Sequence, residues 1–126
     1  MRPNPQGAGR LNVQTERLQE QCLVRLTGEI DLGTVPIVYE AVHACLDSRP
    51  SLVIISLVKV SFCDCAGLRA LLQARQEIVR AGAECRMHGP LQPPVASLLA
   101  HTSTTASLGV HGYDLGNGPP RRPPAT

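Results

Sequence analysis

Tryptophan is absent, phenylalanine occurs once (Phe62) and tyrosine twice (Tyr39 and Tyr113). A surface that stacks single-stranded bases needs aromatic rings, so that mode of nucleic-acid binding has almost nothing to work with. Lysine is nearly missing as well. Lys59 is the only one, and Arg2, Arg10, Arg121 and Arg122, near the two ends, supply part of the formal charge of +2. Between them the charge is close to balanced, with no basic stripe to neutralise a row of phosphates. The expectation is that nucleic acid is not a partner.

Long apolar runs are also lacking. None approaches the roughly 20 residues that span a bilayer, and Met1-Arg2-Pro3-Asn4-Pro5 has no apolar signal-peptide core. No membrane insertion and a cytoplasmic location are therefore expected. The five cysteines (Cys22, Cys45, Cys63, Cys65, Cys85) include no C-x-x-C pair. Their odd number and their spacing favour free, buried or half-buried thiols in a reducing compartment. His43, His88, His101 and His111 show no ligand spacing. With no phosphate-binding glycine loop and no arrangement of Ser, His and Asp that marks a nucleophile, the sequence predicts no metal, no cofactor and no enzyme.

What is present suits one domain. A chain of 126 residues can bury a single core, here built from Leu, Val, Ile and Ala. Residues 1 to 10, rich in Pro and Gly, read as an arm, and residues 116 to 126, with four prolines, as a tail. Leu11 to Leu18 reads as a short edge strand, and Cys22 to Gly28 as its hairpin partner. Gly28 and Gly33 bracket Glu29-Ile30-Asp31-Leu32, leaving Asp31 in a turn. A helix then starts near Thr34, a good N-cap followed by Pro36 in the first turn. Its apolar face carries Val35, Val38, Tyr39, Val42 and Leu46, and Asp47 to Pro50 ends it.

The run Leu52-Val53-Ile54-Ile55-Ser56-Leu57 has the β-branched character of a central strand. It leads into Ser61-Phe62-Cys63-Asp64-Cys65-Ala66-Gly67-Leu68 and an amphipathic helix. Leu68, Leu71, Leu72, Ile78 and Val79 form one side of that helix, and Arg69, Gln73, Gln76, Glu77 and Arg80 the other. Ala81-Gly82 is its stop. Ala83 to His88 reads as a strand, a short helix follows from about Pro93, Thr102 to Ser107 is turn-like, and Leu108 to His111 is a last strand. Strands alternating with helices imply neighbouring parallel strands. The expected fold class is α/β, in the order strand, strand, helix, strand, helix, strand, helix, strand, with a mixed sheet and helices packed on it.

Two motifs now stand in order: Gly28-Glu29-Ile30-Asp31 with Thr34 and Pro36, then an apolar strand leading to Val60-Ser61-Phe62-Cys63-Asp64, one residue, a small residue, and Gly67-Leu68. Together they resemble the STAS domain of bacterial anti-sigma factor antagonists, over roughly residues 11 to 115. The resemblance implies a STAS-like fold and a partner, an anti-sigma factor that is often a serine protein kinase, whose capture frees a sigma factor for transcription. It also implies a docking surface at the loops of Asp31 and Asp64 and the start of the second long helix. The expected partner-binding residues are Asp31, Thr34, Asp64, Cys65, Ala66, Gly67 and Arg69.

Two positions depart from the family pattern. Ala66 stands where the phosphorylated Ser or Thr is expected, so the resemblance implies a binding surface without its usual switch. Ser56 stands where the central strand commonly carries an acidic residue. Taken without the resemblance, Asp64 and Asp31 read as a helix cap and a turn residue, and Gly67 as a point of close backbone packing. Two alternatives stay open: a scaffold or accessory subunit of a stress-signalling or transporter complex, and a thiol-based redox sensor using Cys63 or Cys65 near a helix N-terminus. A homo-oligomer is also left open.

Overall fold

The computed structural model describes residues 10 to 111. The nine residues at the start, the tail from 116 and Tyr113 lie outside them. Within the described residues the chain forms β1 (Leu11–Leu18), β2 (Gln21–Ile30), α1 (Val35–Leu46), β3 (Leu52–Cys63), α2 (Cys65–Arg80), β4 (Glu84–His88), α3 (Pro93–His101), α4 (Thr105–Leu108) and β5 (Val110–His111).

The expected element order holds, with two differences. The stretch read as turn-like contains the one-turn helix α4, closed by Gly109 in the left-handed region. The central strand also runs six residues past Leu57, to Cys63. The extra length comes from pairing with the far end of β2, where Glu29 lies beside Phe62 and Ile30 beside Cys63. The polar residues Lys59 and Ser61 disguise it in the sequence.

The five strands lie side by side in chain order. β1 and β2 form an antiparallel hairpin, and β2 to β5 are parallel. A strand order that simply advances, joined by crossovers of one hand, puts the connecting helices on one face. The burial pattern agrees with that. Cys22, Val24 and Leu26 of β2, Val53, Ile55 and Leu57 of β3, and Cys85 and Met87 of β4 are all buried. The register aligns Cys22, Val53 and Cys85 in one row, and Val24, Ile55 and Met87 in the next. Over these rows α1 packs on β1 and β2, and α2 on β3 and β4. α1 buries Val38, Val42 and Cys45, and α2 buries Leu68, Leu71, Ala74 and Ile78. Val79, grouped with the apolar side in the sequence, is exposed. α3 packs on β3 and buries Val95 and Leu99. On the opposite face Leu23, Ile54 and Ser56 are half-buried and Arg25 and Arg86 exposed.

Two side-chain links tie the helices together at their outer edges. Tyr39 Oη donates to Gln73 Oε1 at 3.1 Å, and His43 Nε2 lies 2.8 Å from Glu77 Oε1. Gln73 and Glu77, on the polar side of α2, therefore have internal partners.

The expectation that every cysteine is free is corrected. Cys22 and Cys45 form a disulfide between the start of β2 and the last turn of α1, with Cα atoms 6.3 Å apart, while Cys63, Cys65 and Cys85 are free. The partners are 23 residues apart in sequence. Only the packing of α1 across β2 brings them together, and spacing carries no sign of it.

The start of the fold is held by a close approach. Glu29 N donates to the Arg10 carbonyl at 2.6 Å, so the β1–β2 pairing begins one residue before β1 and binds a residue assigned to the arm. Gly28 makes this contact feasible. It has φ +121, and a Cβ there would overlap the Arg10 carbonyl. Gly82 also has a positive φ, of +93, but faces open space. Gly28→Ala is therefore expected to destabilise by on the order of 3 kcal/mol, and Gly82→Ala by only about 1 kcal/mol. Urea unfolding of the two variants checks the difference.

Candidate functional site

The pairing of Ile30 with Cys63 sets the ends of two strands side by side, and both chains turn there into helices. The junction is tight. Asp64 N donates to Ile30 O at 3.2 Å, and a Cβ on Gly67 would overlap the Ile30 carbonyl and crowd Cys63 Sγ. Gly67 is thus explained by close packing of the α2 start against the end of β2.

Asp64 caps α2. Its backbone is extended and its Oδ1 accepts from Gly67 N at 2.8 Å, satisfying an amide that has no partner inside the helix. The next residues, Cys65 and Ala66, form the first turn. Cys65 is exposed and Ala66 half-exposed, whereas Gly67 is buried, and Arg69 on the next turn is exposed.

The loop from β2 to α1 is organised around Asp31. Its Oδ1 accepts from Gly33 N at 3.0 Å and from Thr34 N at 3.2 Å, and Oδ2 pairs with Arg10 Nη1. Thr34 Oγ1 accepts from Asp31 N at 2.9 Å and donates to Glu29 O at 2.9 Å. This network holds the loop closed against the sheet.

Of the expected partner-binding residues, Asp64, Cys65, Ala66 and Arg69 reach the surface around the α2 start. Two others do not. Thr34 is fully buried, and Gly67 lies beneath the helix start, so neither is placed to touch a partner directly. Thr34 stands at the N-cap of α1 but makes no side-chain cap bond, because its hydroxyl is used within the loop. Asp31 is half-buried, with both carboxylate oxygens engaged in the fold.

Sequence reasoning missed two side chains at this end. Leu32 is 74% exposed and Phe62 42%, two of the four large apolar residues exposed among those described. Leu32 adjoins Asp31, and Phe62 precedes the Asp64 turn across from Glu29. The available signal was an apolar residue held inside a Gly-bracketed turn, where no core can reach it. Leu32 and Phe62 thus expose apolar side chains near the ends of β2 and β3, from which α1 and α2 start.

Cys63 behaves differently from what the redox-sensor alternative requires of it. Burial, then the charges of Asp64 and Cys65, push the Cys63 thiol up to about 12. A raised value suppresses the thiolate, which counts against Cys63 as the sensor in that alternative despite its place beside a helix N-terminus. Burial raises Cys85 too, against the lowering effect of Arg75. Among the described residues no group of three or more His, Cys, Asp or Glu is arranged to hold a metal ion, and no helix is long and apolar enough to cross a membrane.

The raised Cys63 value fixes the sign of a pH effect. The folded chain holds this proton more tightly than the unfolded one, so the contribution is fully present below the ordinary thiol range. It is lost as pH climbs towards about 12. Between pH 8 and 11, wild type is expected to lose more unfolding free energy than Cys63→Ala, as urea titrations at each pH would show. Asp64→Ala removes the cap and is expected to cost about 1 kcal/mol. Gly67→Ala drives a Cβ into the Ile30 carbonyl and should cost more than the cap does, by the same assay.

Comparisons with known proteins bear on the family and the fold. A family model described as STAS domain matches residues 12–111. An anti-sigma factor antagonist from Mycobacterium paratuberculosis superposes with a TM-score of 0.72 at 19% identity, covering 91% of this chain and 93% of that one. The anti-sigma factor antagonist SpoIIAA in its unphosphorylated form gives 0.68 at 17% identity, over 84% and 91%. The STAS domain of an antisigma-factor antagonist from Rhodobacter sphaeroides gives 0.56 at 18% identity, over 71% and 91%. A search of curated protein sequences returns no significant match.

Proposed function

The chain belongs to the STAS domain family, and on that premise we propose that it is an anti-sigma factor antagonist: it binds an anti-sigma factor of the serine-kinase type and so releases a sigma factor for transcription. The observation that carries this reading is the α2 start. Asp64 fixes it, Cys65 and Ala66 present small groups there, and Leu32 and Phe62 expose apolar surface at the same end of the sheet. The similar folds of proteins described as anti-sigma factor antagonists support the same role. A sigma factor acts on RNA polymerase, so the reading implies a cytoplasmic protein. It is a binding role, with no reaction assigned to the chain.

Ala66 occupies the position that the family resemblance gives to the phosphoacceptor. It is the second residue of α2 and half-exposed. A phosphate there would add about 1.5 to 2 negative charges to a surface a partner must desolvate. A methyl group cannot accept one. The surface therefore stays in its unmodified, binding-competent form, and phosphorylation at this site does not control it.

In pull-downs against candidate anti-sigma factors, Ala66→Glu should weaken capture at least about tenfold, the equivalent of ~1.4 kcal/mol. Leu32→Ser should also weaken it while leaving unfolding free energy nearly unchanged. Binding that survives both substitutions places the interface elsewhere. With the cognate kinase and ATP, Ala66→Ser should be labelled and the native chain left unlabelled.

A further inference from the structure

Arg10 stands immediately before β1 and is held at both its backbone and its side chain. Its carbonyl accepts from Glu29 N at 2.6 Å, as part of the hairpin. Its guanidinium turns to the β2–α1 loop, where Nη1 pairs with Asp31 Oδ2. Nη2 rests beside Gly33, so near that a Cβ on Gly33 would lie 2.5 Å from it. We infer that Arg10 is a positioning residue of the docking surface: its guanidinium holds the β2–α1 loop, and with it the direction of Leu32, against the start of the hairpin.

Three observations support it. Leu32 is 74% exposed and has no core to pack on, so its direction is set by the backbone on either side of it. Its two neighbours, Asp31 and Gly33, are the residues that the guanidinium meets. Holding them holds Leu32.

The loop also has few other ties to the hairpin. Asp31 Oδ1 accepts from Gly33 N and Thr34 N, and Thr34 Oγ1 accepts from Asp31 N. These bonds run within the turn and give it shape. Among the described residues, the side-chain ties from this loop to the hairpin are the Thr34 hydroxyl on Glu29 O and the Asp31 carboxylate on Arg10.

Finally, the pair is largely ordered before it forms. An exposed ion pair contributes little when two long side chains must be immobilised to make it. Here Asp31 is fixed by two loop amides and its side chain is 18% exposed, while Glu29 fixes the Arg10 backbone. Only the Arg10 side chain loses freedom. That side chain is 44% exposed, which leaves the contact open to screening by salt.

Gly33 offers a way to undo the contact without removing either charge. Its φ is not positive, so alanine fits its backbone, and the added methyl takes the room of Arg10 Nη2. Gly33→Ala and Arg10→Gln therefore remove the same contact by different means. The clamp is a property of the chain alone, and its consequence for docking rests on the function proposed above.

The test follows amide exchange of the full chain residue by residue in the two variants and in their combination. Each single substitution should speed exchange at residues 31 to 34 about threefold. Glu29 and the rest of the hairpin should keep the native rate, because the Arg10 carbonyl is retained. The combination should be no faster than the faster single variant, since one contact is lost only once. Arg10→Lys keeps the charge but not the planar fork, and should fall between native and Arg10→Gln. Raising salt to about 1 M, where screening acts within ~3 Å, should bring the native loop to the variants' rate relative to β2 and leave the variants unmoved. Native loop rates in both single variants, additive effects in the combination, or equal acceleration along the hairpin would overturn the inference. Capture of a candidate anti-sigma factor should weaken in Arg10→Gln and Gly33→Ala alike. A loosened loop with unchanged capture overturns the part of Arg10 in docking, whereas a native chain that captures no candidate counts against the docking reading and not against the clamp.

Discussion

The contact between the Ile30 carbonyl and the bare backbone of Gly67 is the constraint on which the site depends. With no Cβ in the way, the first turn of α2 lies directly against the end of β2, and Asp64 N can donate to the same carbonyl. From that contact follow the adjacency of the Asp31 and Asp64 loops, the capped α2 start and the exposure of Cys65 and Ala66. A bulkier residue at position 67 would lift the helix and separate the loops. The site is therefore built by backbone packing more than by side-chain chemistry, which suits a surface that docks rather than reacts.

The two aspartates illustrate how polar groups serve such a surface. The family resemblance makes each a partner contact, the residues alone a cap and a turn, and each spends its hydrogen bonds inside the fold. Asp64 satisfies the Gly67 amide, and Asp31 the amides of Gly33 and Thr34 together with Arg10. Leaving those amides unpaired would cost on the order of 1–3 kcal/mol where they are buried. The carboxylates shape the surface, and the apolar and small residues beside them, Leu32, Phe62, Cys65 and Ala66, form what a partner would meet.

Most of the fold was legible because its signals are local. The period-two and helical patterns, Thr34-Val35-Pro36 at one helix start, Asp64 at another and Ala81-Gly82 at an end each act within a few residues. The boundaries of β1 follow from such signals. What escaped them depends on distant neighbours. The extension of β3 through Lys59 and Ser61 comes from pairing with β2. The Cys22–Cys45 bond needs α1 laid across β2. The burial of Thr34 comes from a loop that folds back on Glu29. At the site, Asp64 and Ala66 were found through the spacing of the second motif, while Leu32 was passed over because an exposed apolar residue in a turn has no periodic signature.

The central claim is that a partner docks on the end of the sheet where β2 and β3 turn into their helices. The most direct measurement is an NMR titration of the isotopically labelled chain with a candidate anti-sigma factor, following each backbone amide. The account predicts that the largest shifts cluster at residues 31 to 33 and 62 to 69. A cluster on the opposite sheet face, around Leu23, Arg25, Ile54 and Arg86, would contradict it.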